Sequence, residues 1–172
     1  MVDDHAGNRL ALESLLEGEY AVDLADSGKA ALQLATQHAY AVILLDVRMP
    51  VMNGFEAAEL LRKEPAVQDA AIIFISAYDQ GDAQIAKGYQ VGAADYLLSP
   101  VDPDFLKLKM RTYVRMYLRI EALRTHIDRL TSLLQSIQRE VNRRSDEEAL
   151  RSQVRELEQV VADLRREMVP TL

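Results

Sequence analysis

Over the first hundred residues, short apolar runs alternate with helical patterns. Tyr20 to Ala25, Ala41 to Leu45, Ala71 to Ile75 and Asp95 to Leu98 are rich in Val, Ile, Tyr or Leu, which predicts strands. Between them, Leu10, Leu12, Leu15 and Leu16 stand at helical spacing ahead of Gly18, and Ser27 can cap a helix reaching Gln37. Asn53 with Glu56 three residues later has the pattern of a capping box, and Asp82 to Val91 runs up to a stop at Gly92. Strand and helix in alternation, joined by short connections, predict a parallel sheet with helices on both faces. The ligand site of such a sheet lies beyond the carboxyl ends of its strands.

From residue 103 the period changes. Asp102 followed by Pro103 is a helix start, a capping carboxylate and then proline at the first helical position. Apolar residues then recur at Tyr113, Met116, Ile120, Leu123, Ile127, Leu130, Leu134, Ile137 and Val141, in alternating steps of three and four. That is a coiled-coil seam. A second series, Leu150, Val154, Leu157, Val161, Leu164 and Met168, follows one residue out of phase. One residue of slip turns the apolar stripe by about 100°. The polar stretch 142–149 is therefore either a hairpin turn or a local skip in one continuous helix. The expected organisation is an α/β domain over 1–102, a long helix over 103–144 and a second helical segment over 145–172. Phe105, Leu106 and Leu108 are expected against the sheet. A helix over 103–144 would be about 63 Å long, too long to pack on one small domain. The seam 113–141 thus predicts a parallel homodimer, and beyond Ile120 the partner is either the same helix of a second subunit or segment 150–168 folded back.

Composition narrows the class. With 49% hydrophobic residues the chain can bury a core, and with no Cys it has no disulfide, thiolate metal site or cysteine nucleophile. No apolar run approaches the roughly 20 residues of a membrane span, and the start lacks a signal-peptide pattern, so a cytoplasmic protein is expected. The net charge of −7 is uneven: residues 1–102 hold 6 basic and 16 acidic groups, residues 103–172 hold 14 and 11. An acidic first part argues against nucleic-acid binding, and the later basic excess is spread around a helix. His126 flanks the seam without any nucleotide-binding sequence, and reads as a solvated residue.

The candidate chemistry is carboxylate. Asp46 ends an apolar strand, and Asp3 and Asp4 sit together ahead of the first helix. Three carboxylates at one sheet edge repel unless a hard cation joins them, Mg²⁺ being the natural choice for oxygen ligands. Such a site suits phosphoryl transfer with a carboxylate nucleophile.

Val2-Asp-Asp4, Asp46-Val-Arg-Met-Pro-Val-Met-Asn-Gly54, Ser76 closing Ile72-Ile-Phe-Ile, and Gly92-Ala-Ala-Asp-Tyr-Leu-Leu-Ser-Pro100 stand in one order. Together, over residues 2 to about 120, they resemble the receiver domain of bacterial two-component response regulators. The resemblance implies a five-stranded, flavodoxin-like, doubly wound α/β fold. It implies that Asp46 accepts phosphate from a histidine kinase or a histidine phosphotransfer protein. Mg²⁺ would be held by Asp3, Asp4, Asp46 and the backbone carbonyl of Arg48. Ser76 would hydrogen-bond the phosphoryl group and Tyr96 would change rotamer with it. No catalytic output is visible, so a signalling module rather than an enzyme is expected, with the coiled coil as relay. The alternative is a non-switching scaffold that acts by coiled-coil interaction.

Two positions depart from the family. Ser99 stands where receivers usually carry lysine, removing a charged hydrogen bond worth roughly 1.5–3 kcal/mol. Phosphorylation remains possible through the metal, while weaker coupling of phosphate to conformation is expected. Only Met1 and Val2 precede Asp3, so the first strand reads as truncated. Losing about four or five buried side chains at roughly 1.5–3 kcal/mol each rivals the stability of a whole domain. The sequence therefore predicts either further chain upstream or a distorted sheet.

Overall fold

The computed structural model describes residues 1–77, 82–143 and 148–168. Its elements are α1 (Ala6–Leu16), α2 (Gly28–Ala35), β1 (Val42–Asp46), α3 (Gly54–Leu61), β2 (Ala71–Ala77), α4 (Asp82–Gln90), β3 (Asp95–Ser99), α5 (Pro103–Arg143) and α6 (Glu148–Met168). They fall into two units, Met1–Tyr117 and Leu118–Leu172.

In the first unit β1, β2 and β3 form a parallel sheet in that order. The apolar run Ile72 to Ile75 is buried on both faces, as a strand between two helical layers requires. One face packs Ala31 and Ala35 of α2 and Phe55, Ala58 and Leu61 of α3 against Ile43, Leu45, Ile72 and Phe74. The other packs Leu12 and Leu16 of α1 and Leu106 and Met110 of α5 against Leu44, Ile73 and Ile75. This is the doubly wound arrangement expected.

The sequence-predicted strand at Tyr20 to Ala25 is reduced to a bridge. Val2 bridges both Ala25 and Leu45 in parallel, so a single residue occupies the place between them that a full strand would fill. Asp46 donates its amide to the Val2 carbonyl at 2.9 Å and Val2 donates to Leu44 at 2.8 Å. Those bonds fix Asp3 beside the end of β1. The described sheet accordingly has three strands rather than five.

The start of α5 follows the expected cap, with the Phe105 amide donating to Asp102 at 2.8 Å. Leu106 is fully buried as expected, but Phe105 and Leu108 are exposed, and the inward face is continued by Met110 and Tyr113. The 3.6-residue turn puts 106, 110 and 113 on one stripe and leaves 105 and 108 off it. Tyr113 donates its hydroxyl to the Ala94 carbonyl and to Asp95, both at 3.0 Å, and Lys109 pairs with Asp95 at 2.5 Å. Burial pushes the Asp95 carboxyl up, but Lys109, the Tyr96 amide and Tyr113 together hold it below the usual range. Its contribution to stability is present above the ordinary carboxylate range and is lost as pH falls through its own lower value. Tyr113→Phe removes one arm of this brace and should cost about 1 kcal/mol in urea titration at neutral pH.

In the second unit Ile127, Leu134 and Val161 form one buried cluster. A continuous helix would separate Leu134 from Val161 by about 40 Å. The chain therefore folds back, and α5 and α6 pack antiparallel. The turn that the sequence places within 142–149 lies outside the described residues at 144–147.

Candidate functional site

Asp3, Asp4 and Asp46 meet at the carboxyl edge of β1, and one carboxylate oxygen from each lies within 4.8 Å of the others. Asp3 is buried, Asp46 half-buried and Asp4 exposed. Local bonds hold Asp3 in place: its carboxylate accepts the His5 amide at 2.7 Å and the Asn8 side-chain amide at 2.9 Å, while Arg9 donates to its carbonyl at 2.7 Å. Asn8 and Arg9 gave no sequence signal as site residues. Their position in the first turn of α1 would have suggested them, because that helix begins two residues after Asp4.

Burial raises the Asp46 carboxyl from its ordinary 3.8 to about 6, and the neighbouring Asp3 charge adds to the rise. Hydrogen bonds from the Val47 and Arg48 amides oppose it, and Asp4 reinforces it. Arg48 is thus placed in the loop after β1, its side chain exposed and its amide turned to Asp46. Three carboxylates this close together, with oxygen donors only, fit a hard divalent cation.

Ser76 lies on β2 one position beyond the residue that pairs with Asp46. It is 1% exposed, and its hydroxyl has no hydrogen-bond partner among the described residues. Leaving such a group unsatisfied costs roughly 1–3 kcal/mol. Tyr96 is half-buried on β3 beside Phe74, ring centroids 6.0 Å apart, and deeper along the sheet than Ser76. Ser99 ends β3 level with Ala77, exposed, before a cis bond to Pro100. The strand ends therefore bring the three aspartates together, set Ser76 on the neighbouring strand and leave Tyr96 on the next.

The sequence reading quoted Gly54 within a motif and gave it no role. A Cβ built there would stand 2.2 Å from the Asp46 carbonyl and 2.9 Å from the Val47 Cα. The Gly54 amide donates to the Val47 carbonyl at 2.9 Å, and Asn53 and Glu56 close the expected capping box. Helix α3 thereby starts directly against the backbone that carries Asp46.

The model of the response regulator receiver domain matches residues 1–111. The chain belongs to this family. Response regulator PleD of Caulobacter vibrioides is 36% identical over 125 residues, which is 72% of this chain and 27% of PleD. The chain therefore spans about a quarter of that relative. Among solved structures, chemotaxis protein CheY4 of Vibrio cholerae is 29% identical with a TM-score of 0.61, over 65% of this chain and 93% of that one. The receiver domain of sensor histidine kinase PA1611 from Pseudomonas aeruginosa, with magnesium coordinated in its active-site cleft, is 30% identical with a TM-score of 0.60. That match covers 66% of this chain and 93% of the other. The signalling class of the chain is that of two-component systems, and its Asp cluster could hold a metal ion. Among the described residues no helix is long and apolar enough to cross a membrane.

Proposed function

We propose that this receiver takes a phosphoryl group on Asp46 from the phosphohistidine of a histidine kinase or histidine phosphotransfer protein, and passes the change to a dimerising helical arm. The observation that carries the reading is the meeting of three carboxylates within 4.8 Å at the strand edge where Ser76 keeps a buried hydroxyl with no partner among the described residues. An Asp46 oxygen attacks phosphorus, the phosphorus–nitrogen bond breaks and the imidazole leaves with the bonding electrons. Mg²⁺, when bound, neutralises the phosphoryl oxygens; Asp3, Asp4, Asp46 and the Arg48 carbonyl are the groups that would hold it. Asn8 and the His5 amide keep Asp3 oriented for that task. Ser76 donates to an incoming oxygen, and Tyr96, against Phe74, fills space that a movement of β2 would open. Ser99 brings a neutral hydroxyl where a cation is usual, so the phosphoryl group is less firmly tied to β3. That same residue favours the second reading, a scaffold that no longer switches. Either way we read the chain as a signalling or scaffold module that works in the cytoplasm.

Incubation with acetyl phosphate and Mg²⁺ should add the mass of one phosphoryl group, and EDTA should prevent it. No gain with the metal present would exclude the relay and leave the scaffold. Metal binding is separately visible: Mg²⁺ at a hundredfold over its Kd should stabilise the folded chain by about 2.7 kcal/mol. Asp3→Asn should lose most of that gain in a thermal melt.

A further inference from the structure

Helices α5 and α6 use only half of their heptad pattern within the chain. Ile127 and Leu134 on α5 are buried against Val161 on α6, and Val154, one heptad before Val161, is buried as well. The next rows, three residues further along each helix, are not covered: Leu130 and Ile137 on α5 and Leu157 on α6 are each about half exposed. Two further residues, Leu133 and Val160, stand beside these rows with 51% of their surface in solvent.

The handedness of the helix decides where these rows lie. In an antiparallel pair the heptad runs in opposite senses around the two axes, so the rows following the buried ones turn to the same side of the hairpin. Leu134 and Val161 share a cluster and so a level. Leu130 to Ile137 spans about 11 Å along α5, and Leu157 and Val160 fall within that band on α6. The result is one compact apolar patch across both helices. A helix of a four-helix bundle gives one row to each of its two neighbours, whereas an isolated hairpin needs only one.

We infer that the patch formed by Leu130, Leu133, Ile137, Leu157 and Val160 is covered by the same patch of a second copy, giving a four-helix bundle of two hairpins with α5 of each chain against α6 of the other. This rests on the helical-arm dimerisation proposed above and specifies its geometry. Charge selects both the occupant and the pairing. The outer edge of the patch carries exposed Arg129 and, one turn past Ile137, Glu140 on α5, and exposed Glu156 and Asp163 on α6, with Arg129 at the level of Asp163. A two-fold axis along the helices sets α5 beside the partner's α6, opposite charges at the edges, Leu133 near Val160 at the centre. Setting α5 on α5 instead would bring Arg129 rows together. The interface is isologous and closes, so it gives a dimer and no larger assembly.

Sedimentation of the full chain over a concentration series tests this, with circular dichroism to follow helix content. The unmodified chain should dimerise. Leu133→Glu and Val160→Glu should each weaken the dimer about a hundredfold or more without loss of helix, because both side chains are solvent-accessible in the single chain. Leu133→Glu combined with Val160→Lys in one chain should recover much of the loss. Arg129→Glu should weaken association about tenfold and Asp163→Arg in the same chain should restore it. A chain that stays monomeric at every concentration overturns the dimerisation reading and this inference together. A dimer indifferent to Leu133→Glu and Val160→Glu leaves dimerisation standing and overturns the bundle. A dimer broken by both but not recovered by either paired change overturns the α5-on-α6 pairing.

Discussion

Asp46→Asn should abolish phosphoryl uptake and at the same time make the metal-free protein more stable at pH 7. The two effects have one origin. Half-burial and the Asp3 charge raise the Asp46 carboxyl to about 6, so the folded chain holds that proton more tightly than the unfolded chain does. Stability from this group therefore declines as pH rises from about 4 to about 6 and stays low above. Asparagine keeps the shape and removes the charge. After allowance for solvent screening of a half-exposed group, the gain is about 1 kcal/mol, or about 4 °C in melting temperature. Below pH 4 the gain should vanish, and saturating Mg²⁺ should remove it at neutral pH. A variant that melts below the parent at pH 7 without metal would contradict this account of the cluster.

Gly54→Ala should cost about 3 kcal/mol, large for one methyl group. The Cβ would meet backbone at 2.2 and 2.9 Å rather than the end of a movable side chain. Relief requires α3 to shift off β1, which opens the Phe55, Ala58 and Leu61 packing and lengthens the Gly54 to Val47 hydrogen bond. The displaced backbone is the one that carries Asp46, so phosphoryl uptake should slow in whatever fraction remains folded. Gly18 offers the control: a Cβ there meets nothing within 4 Å, and alanine should cost only the strain of its positive φ of 80°. Equal losses at both sites, measured by urea unfolding, would remove the steric argument.

Much of the fold was legible because periodicity and caps agree with it. The Val-, Ile- and Leu-rich runs at β1, β2 and β3 leave little choice but strands in a buried sheet, and Asn53 with Glu56 marks the first turn of α3. The segment Tyr20 to Ala25 has the same apolar alternation, but a strand needs a partner along its length, and Val2 alone offers a bridge. That is a tertiary fact which local pattern does not carry. The site divides similarly. Asp3, Asp4, Asp46 and Ser76 were legible from motif order, and the structure sets them at one edge. Asn8, Arg9 and Gly54 were not, since their roles are distances to backbone and to Asp3 rather than chemistry of their own. The heptads beyond residue 113 were legible as a seam, yet a seam has two rows, and which row meets which helix depends on chain reversal.

In the proposed relay Ser76 would set a direction. In the resting chain its hydroxyl is enclosed by the strand and bonded to nothing among the described residues. A phosphoryl oxygen on Asp46 would give it an acceptor. On the proposed relay the lifetime of the modified form would depend partly on this donor, because hydrolysis would take away the acceptor it gains. On the proposed relay, the phosphorylated state would make a bond that Ser76 lacks among the described residues.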